Sequence, residues 1–361
     1  MPVMTLGLLQ WTFSVLMILI IFQSVCLIFN TTNSQDSRDE VTDTLHQFHC
    51  AKLRAKFSVI RPAKSININK FTQEVSDLMN CPYTPNIIER ELNRVNLKFC
   101  CNATENLFLT KHNTAVNQEI QYENNIKRIH KMDAKLHRML PEGIPWISGG
   151  LGRCAVVGSG GILQNSSCGQ KIDSADFVIR FNLATLNVSD VGVKTNLVTI
   201  NPSQIEKNYR NLEKNASSLV ERVRVYGNAH LIIPAFAKVS NTKWSLQTLR
   251  ALRPFRPQQP VVFFSPSYLR TLDRFWKERG LKEIRLSTGF MMINVALELC
   301  QDVDVYGFWP FDTDFQLRPL PYHYYDEIRP SRHMHAMPEE FMRLLQMHSQ
   351  GALTLHLQQC S

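Results

Sequence analysis

CAVVGSGGILQNSSCGQKIDSADFVIRFN, residues 154–182, is the stretch of sequence that decides the fold. Its apolar start, residues 154–157, predicts a buried parallel strand. Gly158, Gly160 and Gly161 follow, and they predict a tight turn at which backbone can approach a phosphate closely. A helix N-terminus after this turn would present free N–H groups to an anion. The competing interpretation is a strand-to-helix turn that binds no ligand.

The second strand of this stretch, residues 177–181, lacks the acidic residue of a dinucleotide-binding site. That fingerprint places an Asp or Glu about 20 residues after the turn, where it holds a ribose. Here the strand carries Arg180 and is followed by Asn182. Asn182 therefore either hydrogen-bonds a nucleotide or sugar, or is an ordinary turn residue.

Strand and helix patterns alternate along the rest of the chain. Such alternation predicts a mostly parallel sheet with helices on both faces, and ligands of these sheets bind at the carboxyl ends of the strands. The predicted strands are residues 196–200, 231–233 and 261–264, and the predicted helices are residues 203–213 and 267–279.

Three later segments complete a recognisable series with the first stretch. RLSTG (285–289) opens an apolar helix, which leads into the strand-like VDVYGFWPF (303–311). HYYD (323–326) and HAMPEE (335–340) follow. In order and spacing, the four segments resemble the sialylmotifs of the animal sialyltransferases. Their amino-acid sequences are most similar to those of the alpha-2,8-sialyltransferases, nearest to the branch that acts on gangliosides and on short disialyl O-glycans.

The resemblance covers roughly residues 95–361 and implies both a fold and a reaction. The fold is a Rossmann-like α/β structure, the GT-A-like variant of the sialyltransferases. The reaction is the inverting, metal-independent transfer of sialic acid from CMP-sialic acid to the 8-hydroxyl of a terminal sialic acid on a glycolipid or glycoprotein. No cofactor is implied, and the resemblance leaves open a homodimer or complexes with other glycosyltransferases.

The resemblance also assigns residues to roles. His335 corresponds to the base that takes the proton of the acceptor hydroxyl, and His323 to the histidine that contacts the donor phosphate. Outside their motifs, these would be ordinary surface or core histidines, and the donor-binding positions would be a helix N-cap, a turn residue and a core aromatic. Glu340 either orients His335 or begins a helix turn. The implied donor-binding residues are Ser159, Asn182, Ser287, Thr288, Gly289 and Trp309.

One position departs from the pattern of the resembling family. The alpha-2,8 enzymes usually have Asn after the first Gly of the loop, whereas this chain has Ser159. Serine keeps a hydroxyl but has a shorter reach and no amide. A second hypothesis therefore stays open, in which the chain is a catalytically weak family member that binds donor or glycan and acts through partner enzymes.

The N-terminal part predicts a membrane anchor and a stem. Residues 11–29 are almost wholly apolar over about the length needed to cross a bilayer, and no charged residue precedes Asp36. A cleaved signal peptide is the competing interpretation. For a single-pass type II protein of the Golgi membrane, we expect a short cytoplasmic tail (1–10), a signal anchor (11–29), an irregular lumenal stem (30–95) and a catalytic domain (96–361).

Glycosylation sequons indicate that the main part of the chain is lumenal. Asn30 has the sequon pattern but lies too near the expected membrane segment to be glycosylated. Asn165 is expected to have a structural role inside the first stretch. The expected acceptors are Asn102, Asn187 and Asn215, each of which stands two residues before Ser or Thr.

Nine cysteines fit an oxidising compartment. Cys26 lies in the presumed membrane segment, and the other cysteines are even in number, which suggests disulfides without giving their pairing. In the resembling family, the leading cysteine of the first motif pairs with that of the small motif, which implies a Cys154–Cys300 bond. A second implied bond joins Cys168 to Cys360. The partners of Cys50, Cys81, Cys100 and Cys101 stay open.

Three further patterns in the sequence are less specific. Apolar residues at helical spacing between 124 and 139 predict an amphipathic helix, whose basic face is either solvated or holds anionic glycans. The DTD of residues 312–314 has the form of a metal-binding DxD, but a CMP-sugar has one phosphate, so we expect a solvated loop and no metal. The net charge of +9 suits anionic substrates, and no nucleic-acid motif is visible.

Overall fold

The computed structural model describes residues 11, 17, 19, 21–24, 42–59, 67–144, 150–282, 285–328 and 337–360. The chain divides into two units, residues 1–56 and 57–361. A helix of residues 42–57, α1, accounts for most of what is described before residue 67. Within the described part of the chain, no helix combines the length and apolar character needed to cross a bilayer. Most of the predicted anchor, residues 11–29, lies outside the described residues.

The larger unit is built on a parallel sheet. β1 and β2 form a separate antiparallel pair, whereas the other seven strands are all parallel and lie in the order β7-β6-β5-β4-β3-β8-β9. The strands are β1 (Glu119–Gln121), β2 (Ile129–Lys131), β3 (Arg153–Val157), β4 (Phe177–Arg180), β5 (Leu197–Thr199), β6 (His230–Ile233), β7 (Val261–Phe263), β8 (Asp302–Tyr306) and β9 (Thr354–His356).

Helices connect the strands and begin at residues that satisfy the free N–H groups of the first turn. Ser265 and Ser287, for example, each accept a backbone N–H three residues later in the chain. After α1, the helices are α2 (Ile68–Met79), α3 (Ile87–Cys100), α4 (Ala103–Asn106), α5 (Ala134–His137), α6 (Gly169–Asp173), α7 (Pro202–Asn208), α8 (Ser217–Arg224), α9 (Val239–Leu252), α10 (Pro266–Glu278), α11 (Thr288–Leu299) and α12 (Met337–Ser349).

The strand order places a topological switch point between β3 and β8. From β3 the chain proceeds outward through β4, β5, β6 and β7, and then returns to the other side of β3 with β8 and β9. In open parallel sheets, ligands bind outside the carboxyl ends of the strands at such a point. The turns after β3 and β8 are therefore the first place to look for a site.

The predicted α/β fold with a parallel sheet is confirmed. Strands β5, β6 and β7 lie within one or two residues of the predicted segments. The apolar residues of these strands are buried because, in a parallel sheet of this kind, both faces are covered. All residues of β4, β5 and β7 are buried.

The predicted amphipathic helix over residues 124–139 is wrong. Ile129 pairs with Gln121 in the β1–β2 hairpin, and only residues 134–137 are helical. Of the apolar residues at helical spacing, Met132 and Leu136 are buried, but Ile126 and Ile129 are exposed. The periodic positions therefore do not share one buried face, and cross-strand hydrogen bonding decides the conformation.

The predicted irregular stem differs from the structure over residues 67–95, which form α2 and most of α3. Phe71 of α2 is buried, and its ring centroid lies 5.7 Å from that of Phe311 and 6.4 Å from that of Phe341. Val75 and Leu78 lie on the same buried face, one and two turns later. Polar residues between these positions dilute the apolar period, which explains why the sequence looks irregular.

A histidine at the start of β6 makes the stability of the fold depend on pH. Burial lowers the pKa of His230 to about 4, and a hydrogen bond to the backbone of Asn196 offsets this only in part. Below pH ~6.5 the unfolded chain therefore binds a proton that the folded chain does not accept until about pH 4. The stability present above pH ~6.5 is lost progressively as the pH falls through this window.

We expect the free energy of unfolding to fall by about 2 kcal/mol more between pH 7 and pH 4.5 in the wild type than in a His230→Gln variant. Urea unfolding followed by tryptophan fluorescence at the two pH values measures the difference. His112→Gln, at an exposed histidine, is the control and should keep the wild-type pH dependence. Equal pH dependence in the wild type and His230→Gln would contradict the prediction.

Candidate active site

The turn after β3 packs tightly against the turn after β8. The Gly160 N–H donates to the Gly307 carbonyl at 3.0 Å. A Cβ atom added at Gly158 or Gly160 would lie 2.7 or 2.6 Å from the same carbonyl oxygen, and one added at Gly161 would lie 2.1 Å from the carbonyl oxygen of Pro321. The glycines are therefore required for close approach of the protein's own backbone, whatever ligand the turn also binds.

The segment after this turn differs from the predicted helix N-terminus. A single turn of 3-10 helix, Gly161–Leu163, follows instead. The next residues are organised by Asp190, whose carboxylate accepts the backbone N–H groups of Asn165 and Ser167, both at 3.1 Å. The structural role predicted for Asn165 thus falls to its backbone, which has a positive φ of 59°, while its side chain is exposed.

The HYYD segment lies directly on the glycine turn. The Tyr324 N–H donates to the Ser159 carbonyl at 3.0 Å, and Gly160 and His323 form an isolated antiparallel bridge. Burial raises the pKa of the Tyr325 hydroxyl, although a side-chain hydrogen bond with Ser159 acts in the opposite direction. Ser159, the departure from the family pattern, is therefore in contact with the segment that carries His323.

The imidazole of His323 is held by a carboxylate. Its Nδ1 lies 2.6 Å from Oδ2 of Asp326, and its backbone N–H donates to Oδ1 of the same residue at 3.4 Å. The ring also stacks on Tyr325, with centroids 5.0 Å apart and planes 4° apart. An ionised carboxylate can only accept, so Nδ1 is the donor in this hydrogen bond.

Ser287, Thr288 and Gly289 form the partly exposed start of α11. The Ser287 hydroxyl accepts the Phe290 N–H at 3.0 Å, as expected for an N-cap. The Ser287 N–H donates to the buried carboxylate of Glu340 at 2.6 Å. Glu340 lies in the first turn of α12, as one of the two interpretations predicts. It also ties this helix, which begins within the HAMPEE segment, to the start of α11, which neither interpretation included.

Two aromatic rings join the start of α11 to the ends of β4 and β8. A Cβ atom added at Gly289 would lie 2.6 Å from the Phe308 ring, and Phe308 packs edge-on against Phe181 with centroids 6.1 Å apart. Asn182 follows Phe181, has a positive φ of 54°, and accepts the Asn201 N–H at 3.0 Å. The side-chain oxygen of Asn182 thus binds the chain's own backbone, and its implied contact with the donor stays a prediction.

Trp309 lies among aromatic residues at the end of β8. It is buried, its indole N–H donates to the Thr313 carbonyl at 2.7 Å, and its ring packs against Phe311, Phe315 and Phe341. These contacts show a core position beside the site. Its implied contact with the donor stays a prediction.

The predicted site residues thus gather at the switch point, apart from the base. Ser159 bonds to Tyr324, the adjacent Gly160 pairs with His323, and Gly289 reaches the same region through Phe308. His335 lies outside the described residues. Sequence reasoning missed Asp326, three residues after His323 within HYYD, and Gly307, the glycine that follows β8.

Disulfides fix this arrangement covalently. Cys154 of β3 is bonded to Cys300 after α11, and Cys168 before α6 is bonded to Cys360, the two pairings that the resemblance implies. Cys100 is bonded to its neighbour Cys101. Both adjacent thiols are therefore used within the chain.

The expected glycosylation sites are accessible to different degrees. Asn187 and Asn215 are exposed, and Asn102, which follows α3, is partly exposed. In Asn187 and Asn215 the side-chain oxygen accepts the backbone N–H two residues later, at 2.9 Å in both cases. Their glycosylation stays a prediction.

The DTD segment is bound to its own loop. Asp314 is buried and accepts two bonds from Arg318, one from the backbone at 2.8 Å and one from the guanidinium at 2.7 Å. These and a further backbone hydrogen bond from Gln316 lower the pKa of Asp314 despite its burial. Over the residues that the structure describes, no cluster of three or more His, Cys, Asp or Glu side chains could hold a metal ion.

Comparison with known proteins places this site in a family. Residues 102–352 match glycosyltransferase family 29 (sialyltransferase). Alpha-2,8-sialyltransferase 8F of Mus musculus is 36% identical over 335 residues, which are 92% of this chain and 83% of that protein. Alpha-N-acetylneuraminide alpha-2,8-sialyltransferase of Xenopus laevis is 43% identical over 267 residues, 73% of this chain and 74% of that protein.

A solved mammalian sialyltransferase in complex with Gal-beta-1-3GalNAc-ortho-nitrophenol is 20% identical over 83% of this chain and 92% of that chain, with a TM-score of 0.41. The family assignment rests on the sequence matches. The chain belongs to glycosyltransferase family 29, the sialyltransferases, and the resemblance of its motifs to that family is confirmed.

Proposed function

We propose that the chain is an alpha-2,8-sialyltransferase that transfers sialic acid from CMP-sialic acid to the 8-hydroxyl of a terminal sialic acid on a glycolipid, such as a ganglioside, or on a glycoprotein. The observation that supports it most is the contact of His323 with the glycine turn at the switch point. The names of the similar proteins support the 2,8 linkage. The proposal includes a metal-independent reaction, and location as a single-pass type II protein of the Golgi membrane.

The proposed reaction breaks the bond between the anomeric carbon of sialic acid and the CMP phosphate. The acceptor oxygen attacks from the opposite face, and configuration inverts. The hydroxyl proton passes to His335, which is worth about 10²–10⁴ in rate for a positioned general base. His323 donates from Nε2 to the departing phosphate, and the carboxylate of Asp326 stabilises the imidazolium form that this requires.

The start of α11 supplies further donors. α11 has 12 residues, and the N–H groups of its first turn favour a negative charge. Two N–H groups of this turn are already bonded: that of Ser287 donates to Glu340, and that of Phe290 donates to the Ser287 hydroxyl. The N–H groups of Thr288 and Gly289 are left to face the phosphate or the sugar carboxylate. The net charge of +9 suits a donor and an acceptor that are both anionic.

The test is transfer of labelled sialic acid by the full-length chain in mild detergent to a panel of sialylated glycolipids and glycoproteins, with EDTA present. EDTA-resistant product that is lost in His335→Ala, and kept in His333→Ala at the neighbouring histidine, is the expected result. The acceptor that is labelled identifies the substrate class. Product that requires added metal would overturn the metal-independent mechanism.

A folded chain that binds CMP but makes no product with any acceptor would overturn the enzymatic proposal. It would favour the second hypothesis, raised by the presence of Ser159, that the chain is a catalytically weak family member. Recovery of activity in Ser159→Asn would then locate the cause in the glycine turn, where Ser159 contacts Tyr324.

A further inference from the structure

Helix α3 carries an apolar stripe that faces away from the rest of its unit. The side chains that form it are largely exposed: Ile88 (78%), Leu92 (52%), Val95 (60%) and Phe99 (93%). Their spacing of four, three and four residues keeps them on one face and is the spacing of a coiled-coil seam. An exposed apolar surface of this regularity marks an interaction site.

The opposite face of α3 anchors the helix to the unit. Leu97 is buried, the guanidinium of Arg94 donates to the Cys300 carbonyl at 2.6 Å, and Arg90 forms an ion pair with Asp302. The helix is therefore held with its stripe outward. A partner that binds the stripe would contact a rigid surface, with little conformational entropy to lose.

We propose that the stripe is the contact surface between two copies of this chain, with the two α3 helices antiparallel about a twofold axis. In that arrangement Ile88 lies opposite Phe99 of the second copy, and Leu92 lies opposite Val95. The surface is thus complementary to itself, which a twofold contact requires. The pairing is independent of the proposed activity.

The charges beside the stripe favour this occupant and this direction. Glu91 and Lys98 are both exposed and lie on the same side of the seam, and Glu91 also forms an ion pair with Arg94 of its own helix. In the antiparallel pair each Glu91 faces Lys98 of the other copy, which gives two ion pairs, whereas a parallel pair would place Glu91 beside Asn96. A membrane surface fits less well, because Glu89 and Glu91 flank the stripe and anionic headgroups favour Lys and Arg.

The size of the contact sets its strength. α3 has 14 residues and is about 21 Å long. Pairing two such stripes buries on the order of 1,000 Å² in total, which is typical of weak or transient assemblies. We therefore expect a dimer that forms at concentrations of about 1–100 µM.

Fluorescence-detected sedimentation velocity of the full-length chain in detergent, over a range of concentrations, tests the proposal. Val95→Glu is expected to raise the dimer Kd more than tenfold, because it places a charge in the seam. Val225→Glu, at a valine of similar exposure (53%) outside α3, is the matched control and should leave the Kd unchanged. Both variants should keep the folded far-UV circular dichroism spectrum.

A charge exchange tests the direction of the helices. Glu91→Lys should weaken the dimer about threefold to tenfold. Adding Lys98→Glu should restore it in part, because the two ion pairs between the copies are then reversed but intact, whereas the ion pair of residue 91 with Arg94 stays lost. A wild-type chain that stays monomeric at 100 µM, or a dimer that Val95→Glu does not affect, would overturn the proposal. So would a monomer whose binding to lipid vesicles depends on Val95, since that would assign the stripe to a membrane.

Discussion

Replacing Asp326 with asparagine is expected to lower kcat about 100-fold, because the variant loses stabilisation of the transition state. KM for CMP-sialic acid should change about threefold or less, because little ground-state binding is lost. The Asp326 carboxylate lies 2.6 Å from Nδ1 of His323. An amide in its place has no charge to support an imidazolium, and it can present N–H to Nδ1 and reverse the proton arrangement of the ring. Steady-state kinetics with varied donor concentration measures the effect.

Asp326→Glu should recover part of the activity, because it restores the charge with a longer side chain. Asp312→Asn, at an exposed aspartate of the neighbouring loop, is the matched control and should keep wild-type kinetics. A loss of activity that follows a loss of folded protein, with no recovery in Asp326→Glu, would contradict the positioning role.

The central sheet could be predicted because the burial of its strands is evident from the local sequence of each strand. Residues 197–199, 230–233 and 261–263 are short, largely apolar runs bounded by turns, and each lies where the sequence places a strand. The gathering of the motifs at one edge also follows from sequence, since carboxyl ends of parallel strands meet at the same edge. The contact of the glycine turn with HYYD does not follow from that rule, because HYYD is not at the end of a strand.

Contacts between distant segments could not be predicted in the same way. Gly161 must be glycine because Pro321 lies 160 positions later in the chain and its carbonyl approaches within 2.1 Å of a Cβ site. The residues 124–139 show a helical period, yet the β1–β2 register decides their conformation. In each case the deciding partner lies outside the window from which a local pattern is taken.

Removing both cysteines of the Cys154–Cys300 bond is expected to lower the free energy of unfolding by about 3–5 kcal/mol. The loss is large because the bond closes a long loop and so restricts the unfolded chain. The sequence separation is 146 residues, and that of Cys168–Cys360 is 192. We expect similar losses for Cys154→Ala/Cys300→Ala and Cys168→Ala/Cys360→Ala. Urea unfolding followed by tryptophan fluorescence measures them.

The bond between Cys100 and Cys101 supplies the matched control. Its sequence separation is 1, so it closes almost no loop, and Cys100→Ala/Cys101→Ala should cost about 1 kcal/mol or less, mainly from the buried Cys101 side chain. A loss that is equal for all three pairs would contradict the loop-closure account. The Cys154–Cys300 pair also joins β3, which precedes the glycine turn, to the end of α11, which begins with Ser287 and its partner Glu340. Donor binding should therefore weaken with stability in that variant, because the bond holds together two of the segments that form the site.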